Sequence, residues 1–215
     1  MAFNSSHKYR LVAFDMDGTL VKEKSSWGVL HQYFGTKDEA QKNKEEYFEG
    51  IISYAEFMRK DADLWLPFKP TRGQMEQALS NYRLMPYSEQ VIKELKKEGT
   101  ETVIVTGGID ILARKVATRL GIENVLANGF VFDDNGYLTE EEICNVDVMR
   151  KDMALEHFVQ ELNIPLSKCI AVGDSKYDTE FLKCAGLGIA FDPDPVLSKS
   201  ASVVIYDLRE ILRYI

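Results

Sequence analysis

The sequence predicts an α/β protein with a doubly wound parallel sheet and one inserted helical cap. Short β-branched or apolar runs alternate with segments of helical periodicity, as is typical of parallel strands covered by helices on both faces. The alternation is interrupted once, because residues 22–84 have helix-like apolar spacing and no strand pattern. We therefore expect residues 1–21 and 85–215 to form the α/β core and residues 22–84 to form a helical cap.

The strands of the core are predicted from short apolar runs, the first of which is Leu11–Phe14 and ends at acidic residues. The other predicted strands lie at 101–105, 168–172, 187–191 and 202–206. The predicted helices of the core lie at 88–98, 109–120, 152–162, 178–185 and 207–215. Gly99, Gly121 and Gly186 follow three of these helices, and glycine is typical of a helix end.

One antiparallel hairpin is predicted within this alternation. Asn135 and Gly136 lie between the apolar runs 130–132 and 137–139, and an Asn-Gly pair supplies the positive φ angles of a tight turn. Within the cap, the prolines of residues 65–70 indicate a break between helices.

The composition excludes several classes of protein. The chain has 215 residues, of which 45% are hydrophobic and 28% charged, as in ordinary globular proteins. A net charge of −8 argues against non-specific binding of nucleic acid, which needs a basic surface. Three cysteines without paired spacing indicate neither a disulfide framework nor a zinc site. No apolar run reaches the roughly 18 residues of a membrane span, so we expect a cytoplasmic protein without membrane contact.

The strongest chemical signal is the segment DMDGT, which directly follows the first predicted strand. Ligands of open α/β sheets bind beyond the carboxyl ends of the strands. Asp15 and Asp17 leave that end together, which predicts a functional pair. The alternative is that the two aspartates only cap the next helix.

A second acidic pair, Asp174 and Asp178, follows the predicted strand 168–172. Asp178 by itself has the position of a helix N-cap. Together with Asp15 and Asp17, the pair predicts four carboxylates in one crevice, where like charges about 4 Å apart repel by roughly 1 kcal/mol even in water. Such a cluster needs a counterion, and oxygen ligands of this kind favour Mg²⁺.

Three further residues indicate a phosphate-binding pocket. Thr106 and Gly107 lie between a predicted strand and a predicted helix, where a hydroxyl and free backbone N–H groups suit a phosphate. Lys151 lies at the start of a helix, where its charge opposes the helix dipole unless an anion is nearby. A plain strand-to-helix turn at Thr106 and a solvent-exposed Lys151 are the alternatives.

The order of DMDGT, VTGG, Lys151 and GDSKYD resembles the four motifs of the haloacid dehalogenase (HAD) superfamily. Within it, the chain is most similar to the phosphoserine phosphatase branch, over most of its length. The resemblance implies a HAD-like, Rossmann-like sheet with an inserted helical cap. It also implies Mg²⁺-dependent hydrolysis of a small phosphorylated metabolite such as phosphoserine, and it leaves the oligomeric state open.

The resemblance also implies a role for each site residue. Asp15 would attack phosphorus to form an aspartyl-phosphate, and Asp17 would act as general acid and then general base. The side chains of Asp15 and Asp174 and the carbonyl of Asp17 would bind Mg²⁺, with Asp178 acting through water. The phosphoryl oxygens would be bound by Thr106, Gly107 and Lys151.

The sequence departs from the phosphoserine phosphatase pattern at positions expected to contact the substrate. Lys24 stands where that branch has a glutamate for the amino group, with Glu23 beside it. Asp61 stands near the position of the arginine for the substrate carboxylate, with Arg59 two residues away. Thr106 stands where that branch usually has a serine. Ser175 and Tyr177, inside the segment GDSKYD, stand where it usually has a glycine and an asparagine.

Two alternatives to phosphoserine hydrolysis follow from the same motifs. In the first, the chemistry at Asp15 is the same, but the protein is either a phosphotransferase to an acceptor alcohol or a phosphatase for another small phosphate ester. The other is a signalling protein in which Asp15 is phosphorylated as a switch. Asp17 argues against the switch, because an adjacent acid/base shortens the life of an aspartyl-phosphate.

Overall fold

The computed structural model describes residues 8–215 and contains a seven-stranded sheet. The strands are β1 (Leu11–Phe14), β2 (Glu101–Ile109), β3 (Asn124–Phe132), β4 (Leu138–Ile143), β5 (Cys169–Gly173), β6 (Leu187–Phe191) and β7 (Val203–Ile205). Their spatial order is β4-β3-β2-β1-β5-β6-β7, and only the β3–β4 pair is antiparallel. The chain order reverses direction at β1, which makes the sheet doubly wound and confirms the predicted fold class.

Nine α-helices lie within the described residues. They are α1 (Ser26–Phe34), α2 (Lys37–Phe48), α3 (Tyr54–Asp63), α4 (Arg72–Ala78), α5 (Ser88–Lys97), α6 (Asp110–Leu120), α7 (Lys151–Glu161), α8 (Thr179–Cys184) and α9 (Pro195–Ser200). Short 3₁₀ helices occupy Leu66–Phe68, Leu166–Lys168, Lys176–Asp178 and Leu208–Tyr214. None of the helices in residues 8–215 has the combination of length and apolar character that crossing a bilayer requires.

The two faces of the sheet are covered by different helices. Residues of α5, α6 and the C-terminal 3₁₀ helix share one hydrophobic cluster with Val12 and Phe14 of β1. Residues of α7, α8 and α9 share a second cluster with Leu11 and Ala13. Because alternate residues of a strand point to opposite faces, these clusters lie on the two sides of the sheet. Buried parallel strands of this kind have no polar face, which explains their continuous apolar runs.

The predicted cap segment, residues 22–84, contains α1 to α4 and packs against the sheet through aromatic rings. Trp27 of α1 and Trp65 are stacked with ring centroids 5.8 Å apart. Both meet Phe130 of β3 edge-on, at 5.5 and 5.7 Å. Such ring-to-ring contacts stabilise the packing beyond the stabilisation that comes from burying the rings. The division into a core and a cap at these residues stays a prediction.

Three local predictions were incomplete. Strand β2 does not end at residue 105 but continues to Ile109 through a register shift, in which residues 106–108 bulge out of the ladder with β3. The hairpin turn is closed by a hydrogen bond from the Gly136 N–H to the Asp133 carbonyl, and only Gly136 has positive φ (81°). Asn135 therefore does not take the left-handed conformation that the Asn-Gly pattern predicted. The sequence interpretation also missed α9, which Asp194 caps with Pro195 in the first turn.

Candidate active site

Asp15 and Asp174 reach the same edge of the sheet because β1 and β5 are neighbours in register. Phe14, the last residue of β1, lies opposite Val172 of β5. The Asp15 N–H donates to the Val172 carbonyl at 2.8 Å, so the first residue after β1 is still held by β5. Parallel pairing thus brings the two acidic motifs together at the carboxyl end of the sheet, as the sequence predicted.

Three of the four predicted carboxylates form a compact cluster. One oxygen from each of Asp15, Asp174 and Asp178 lies within 4.8 Å of the others, and all three side chains are buried. Gly18 allows this approach: its φ is +89°, and a Cβ atom there would lie 2.3 Å from Asp174 Oδ2. The glycine of DMDGT is therefore required both by backbone conformation and by space.

Lys151 provides the main positive charge inside the cluster. Its Nζ lies 2.7 Å from Asp15 Oδ1 and 2.6 Å from Asp178 Oδ1, and the side chain is only 3% exposed. Burial acts to lower the pKa of the Lys151 amine, but the charges of Asp15 and Asp178 outweigh burial and raise the pKa. The amine therefore stays protonated, and the alternative of a solvent-exposed lysine is wrong.

Asp178 has a local and a long-range partner. Its Oδ2 accepts hydrogen bonds from the N–H groups of Asp174 and Ser175, both at 3.1 Å, as the third residue of a capping box whose N-cap is Ser175. Asp178 also stands at the N-cap position of α8, as its position suggested, but its side chain makes no capping hydrogen bond to that helix. Its Oδ1 faces Lys151, as described above. The capping interaction and the ion pair therefore coexist on one side chain.

Asp17 lies beside the cluster in a different environment. Its Oδ2 accepts hydrogen bonds from the Ser26 N–H at 2.9 Å and from the Ser26 hydroxyl at 2.8 Å, at the first residue of α1. Its Oδ1 is buried and has no hydrogen-bond partner among residues 8–215. Burial raises the pKa of Asp17 to about 6, although the Ser26 hydrogen bonds oppose the rise.

The bulge of β2 supplies the predicted phosphate-binding residues. The Thr106 hydroxyl oxygen accepts from the Gly108 N–H at 2.9 Å, which leaves its proton free for another acceptor. The Gly107 carbonyl accepts from the Trp27 indole at 2.9 Å, the Tyr54 hydroxyl at 2.7 Å and the Asn128 amide at 3.1 Å. The predicted cap therefore fixes the backbone of this loop directly.

The carboxylate cluster carries more negative than positive charge. Burial raises the pKa of Asp15 well above its usual range, and the charges of Asp178 and Asp174 add to the rise although Lys151 opposes it. Burial also raises the pKa of Asp174, against which the ammonium of Lys24 acts from 2.6 Å. Three carboxylates thus share two lysines, one of which is largely exposed to solvent.

These residues fit a hard divalent cation. The cluster offers carboxylate oxygens without nitrogen or sulfur ligands, and its excess negative charge would be neutralised by such an ion. The Asp17 carboxylate faces Ser26 and is not one of the three clustered side chains. A contribution from Asp17 to a metal site would therefore come from its backbone carbonyl, as the resemblance implies.

Two site residues were not found from the sequence. Ser26 holds Asp17 and accepts a hydrogen bond from the Ile109 N–H at 3.1 Å. The pattern Ser25-Ser26 before an apolar run predicts only a helix cap, and Ser25 is indeed the N-cap of α1. Lys24 has no signal in the sequence other than its departure from the phosphoserine phosphatase pattern, because its contact with Asp174 joins residues 150 positions apart.

A cavity of about 410 Å³ connects this cluster with the helices of the predicted cap. Asp15, Asp17, Thr106 and Lys151 line the end of the cavity at the carboxylate cluster. The side chains lining the opposite part come from α1, α2 and α3 and include the aromatic rings of Trp27, Tyr47, Phe48, Tyr54 and Phe57. A ligand of small-metabolite size therefore has room between the carboxylates and the helices.

A doubly wound sheet whose carboxyl edge holds clustered aspartates, a buried lysine and a hydroxyl is typical of hydrolases that act on phosphate esters. The family comparison agrees: the model of the haloacid dehalogenase-like hydrolases matches residues 12–183, and the chain belongs to this family.

Relatives along the whole chain narrow the class to phosphatases. A phosphoserine phosphatase of Methanocaldococcus jannaschii is 34% identical over 97% of this chain and 98% of its own length. One of Idiomarina loihiensis is 30% identical over 96% of this chain and 93% of its own. The protein is therefore a phosphatase similar to phosphoserine phosphatases.

Solved structures support the same classification. A substrate-bound phosphoserine phosphatase complex has a TM-score of 0.79 at 32% identity, covering 98% of this chain and 100% of that one. A phosphoserine phosphatase in apo form has a TM-score of 0.80 at 31% identity, covering 97% and 100%. The fold and the phosphatase class thus rest on sequence and structure together.

Proposed function

We propose that the protein hydrolyses a small phosphomonoester through an aspartyl-phosphate on Asp15. The observation that carries this proposal is the convergence of Asp15, Asp174, Asp178 and Lys151 at the end of β1 and β5. Asp15 lines the cavity together with Thr106 and Lys151, and its Oδ1 lies 2.7 Å from the Lys151 ammonium. In-line attack by one of its oxygens on phosphorus would form the P–O bond as the bond to the leaving alcohol breaks.

Asp17 is the proposed general acid and base. A group with a pKa of about 6 carries a proton in a useful fraction of molecules near neutral pH. Its Oδ1 is buried without a partner among the described residues and lines the cavity with Asp15, so it has a free position for a leaving-group oxygen or a water. Ser26 orients the carboxyl group through its other oxygen.

The remaining residues of the proposed site bind charge. Lys151 and the Thr106 hydroxyl line the cavity beside Asp15 and would donate to phosphoryl oxygens, with the backbone of Gly107 next to them. The carboxylates of Asp15 and Asp174 and the carbonyl of Asp17 would hold Mg²⁺, with Asp178 supporting them. When bound, the ion would neutralise charge on the phosphoryl group. Residues 22–84, as a cap, would exclude bulk water from this end of the cavity.

Phosphoserine is the first substrate to consider, because the full-length relatives carry the name phosphoserine phosphatase. Another small phosphate ester is the alternative that the departures at Lys24, Asp61 and Tyr177 suggest. The chemistry at Asp15 is common to both.

The proposal is tested by replacing Asp15 with asparagine, which keeps the shape of the side chain and removes the nucleophilic oxygen. We expect Asp15→Asn to lower Mg²⁺-dependent release of phosphate from p-nitrophenyl phosphate by at least about 10³-fold. Asp134→Asn, in the exposed turn between β3 and β4, is the matched control and should retain full activity. An Asp15→Asn enzyme with near wild-type turnover would exclude Asp15 as the nucleophile.

A further inference from the structure

The part of the cavity lined by the helices carries positive charge. Lys37 and Lys44, both of α2, line it and are exposed to solvent, whereas Lys24 lies at the carboxylate end beside Asp174. Lys37 Nζ donates to the neutral Gln32 amide oxygen at 2.8 Å, and Lys44 Nζ lies 6.0 Å from the centre of the Phe48 ring. These two ammonium groups therefore form no ion pair within the described residues, and Lys24 pairs only with Asp174.

The same part of the cavity offers no available negative charge. Asp61 is its single acidic lining residue apart from Asp15 and Asp17, within the part of the chain that the structure describes. Asp61 is 1% exposed, and its Oδ2 lies 3.0 Å from His31 Nε2. Its Oδ1 accepts from the Asn43 amide at 2.8 Å. Both oxygens are thus satisfied inside the protein, and a ligand has no carboxylate to contact there.

This charge distribution disfavours a substrate with an ammonium group. A buried ammonium without an anionic partner loses hydration that nothing in the cavity replaces. The aromatic rings of Tyr47, Phe48 and Phe57 attract cations weakly, but Lys37 and Lys44 line the same part of the cavity and repel cations. An anionic group at this end would instead meet the ammonium groups of Lys37 and Lys44, which have no other charge partner within the described residues.

We infer that the substrate is a phosphomonoester whose alcohol part carries a second anionic group, such as a carboxylate, and no ammonium group. Lys37 and Lys44 are the residues that select it. This inference rests on the proposed function, because the phosphoryl group must lie at Asp15 for the alcohol part to reach the lysines. It distinguishes this chain from the phosphoserine phosphatases, whose named substrate carries both a carboxylate and an ammonium group.

The test compares four phosphate esters with the purified full-length protein in Mg²⁺ buffer. 3-Phosphonooxypropionate has a carboxylate and no ammonium, phosphoethanolamine has the reverse, and phosphoserine has both. p-Nitrophenyl phosphate has neither and measures the phosphatase chemistry alone. We expect kcat/KM for 3-phosphonooxypropionate to exceed that for phosphoethanolamine by at least about 50-fold and that for phosphoserine by at least about tenfold.

Substitution of the lysines identifies them as the cause of this preference. In the double variant Lys37→Gln, Lys44→Gln, the ratio of kcat/KM for 3-phosphonooxypropionate to that for phosphoethanolamine should fall by at least about fivefold. A ratio is insensitive to a general loss of active enzyme. Lys42→Gln is the matched control, because Lys42 lies on the same helix α2 and does not line the cavity. It should leave the ratio unchanged.

The outcomes separate the inference from the proposed function. If p-nitrophenyl phosphate is hydrolysed through Asp15 but phosphoserine or phosphoethanolamine is the better substrate, the inference is wrong and the proposed function stands. An unchanged ratio in the double lysine variant would also overturn the inference. If no ester is hydrolysed, the proposed function fails and the inference fails with it.

Discussion

Replacing Lys151 with methionine should strongly destabilise the protein in the absence of metal. Methionine has a similar volume but no charge, so the change removes the ammonium group and little packing. The ammonium lies 2.7 Å from Asp15 and 2.6 Å from Asp178, and the Lys151 and Asp178 side chains are 3% and 0% exposed. Without it, two buried carboxylates lose their main positive partner.

The expected loss is about 3–5 kcal/mol of unfolding free energy, the cost of leaving one side of a buried ion pair without its partner. This is a large part of the unfolding free energy of a typical folded domain, which is roughly 5–15 kcal/mol. For a chain of this size, it corresponds to a drop in Tm of roughly 6–20 °C. Urea unfolding followed by circular dichroism in buffer with chelator measures the difference.

Two further variants test whether the loss of stability comes from the unpaired buried carboxylates or from replacing any helical lysine with methionine. Asp178→Asn in the Lys151→Met background removes one of the unpaired charges, and it should restore at least about 1 kcal/mol. Lys183→Met, in α8, removes a lysine that is 54% exposed and paired with Glu180, and it should change stability little. A Lys151→Met protein within about 1 kcal/mol of wild type would refute the reasoning.

Two further predictions concern the carboxylate cluster. Gly18→Ala should lower the unfolding free energy, measured in urea, by at least about 1 kcal/mol more than Gly35→Ala does. Both glycines have positive φ (+89° and +71°), but only at Gly18 would a Cβ atom meet another side chain, at 2.3 Å. Equal losses would show that the approach of Asp174 to Gly18 is unimportant. Mg²⁺ at about 100 times its Kd should add about 2.7 kcal/mol to the unfolding free energy of the wild type, and chelation should remove the gain. Asp174→Asn should abolish most of this stabilisation, whereas an undiminished gain in that variant would contradict a metal site at the cluster.

The fold was predictable because its strands are buried on both faces. The apolar run of β1 gave the correct bounds, Leu11–Phe14, and β6 was likewise predicted as it is found. The extension of β2 to Ile109 was missed, because Gly107 and Gly108 suggest the end of a strand. Only the pairing of Ile109 with Asn128 of β3 continues the strand past the bulge, and that contact is not local in sequence.

The convergence of the two acidic motifs was also predictable, because each follows a strand of one parallel sheet. The contacts of each side chain at this edge were not predictable. Lys24 and Asp174 lie 150 positions apart, and their ion pair depends on how the segment after β1 returns over the sheet. The partners of Asp61, His31 and Asn43, belong to two other helices, so its charge could not be assigned from its position alone.

The phosphoryl group itself provides the most direct test of Asp15 as nucleophile. The protein is mixed with a phosphomonoester and Mg²⁺, quenched in acid during turnover, digested and examined by mass spectrometry. We expect one phosphoryl group on the peptide that contains Asp15, lost on treatment with hydroxylamine, which cleaves acyl phosphates, and missing from the Asp15→Asn protein. A phosphoryl group on any other residue during turnover would contradict the proposed mechanism.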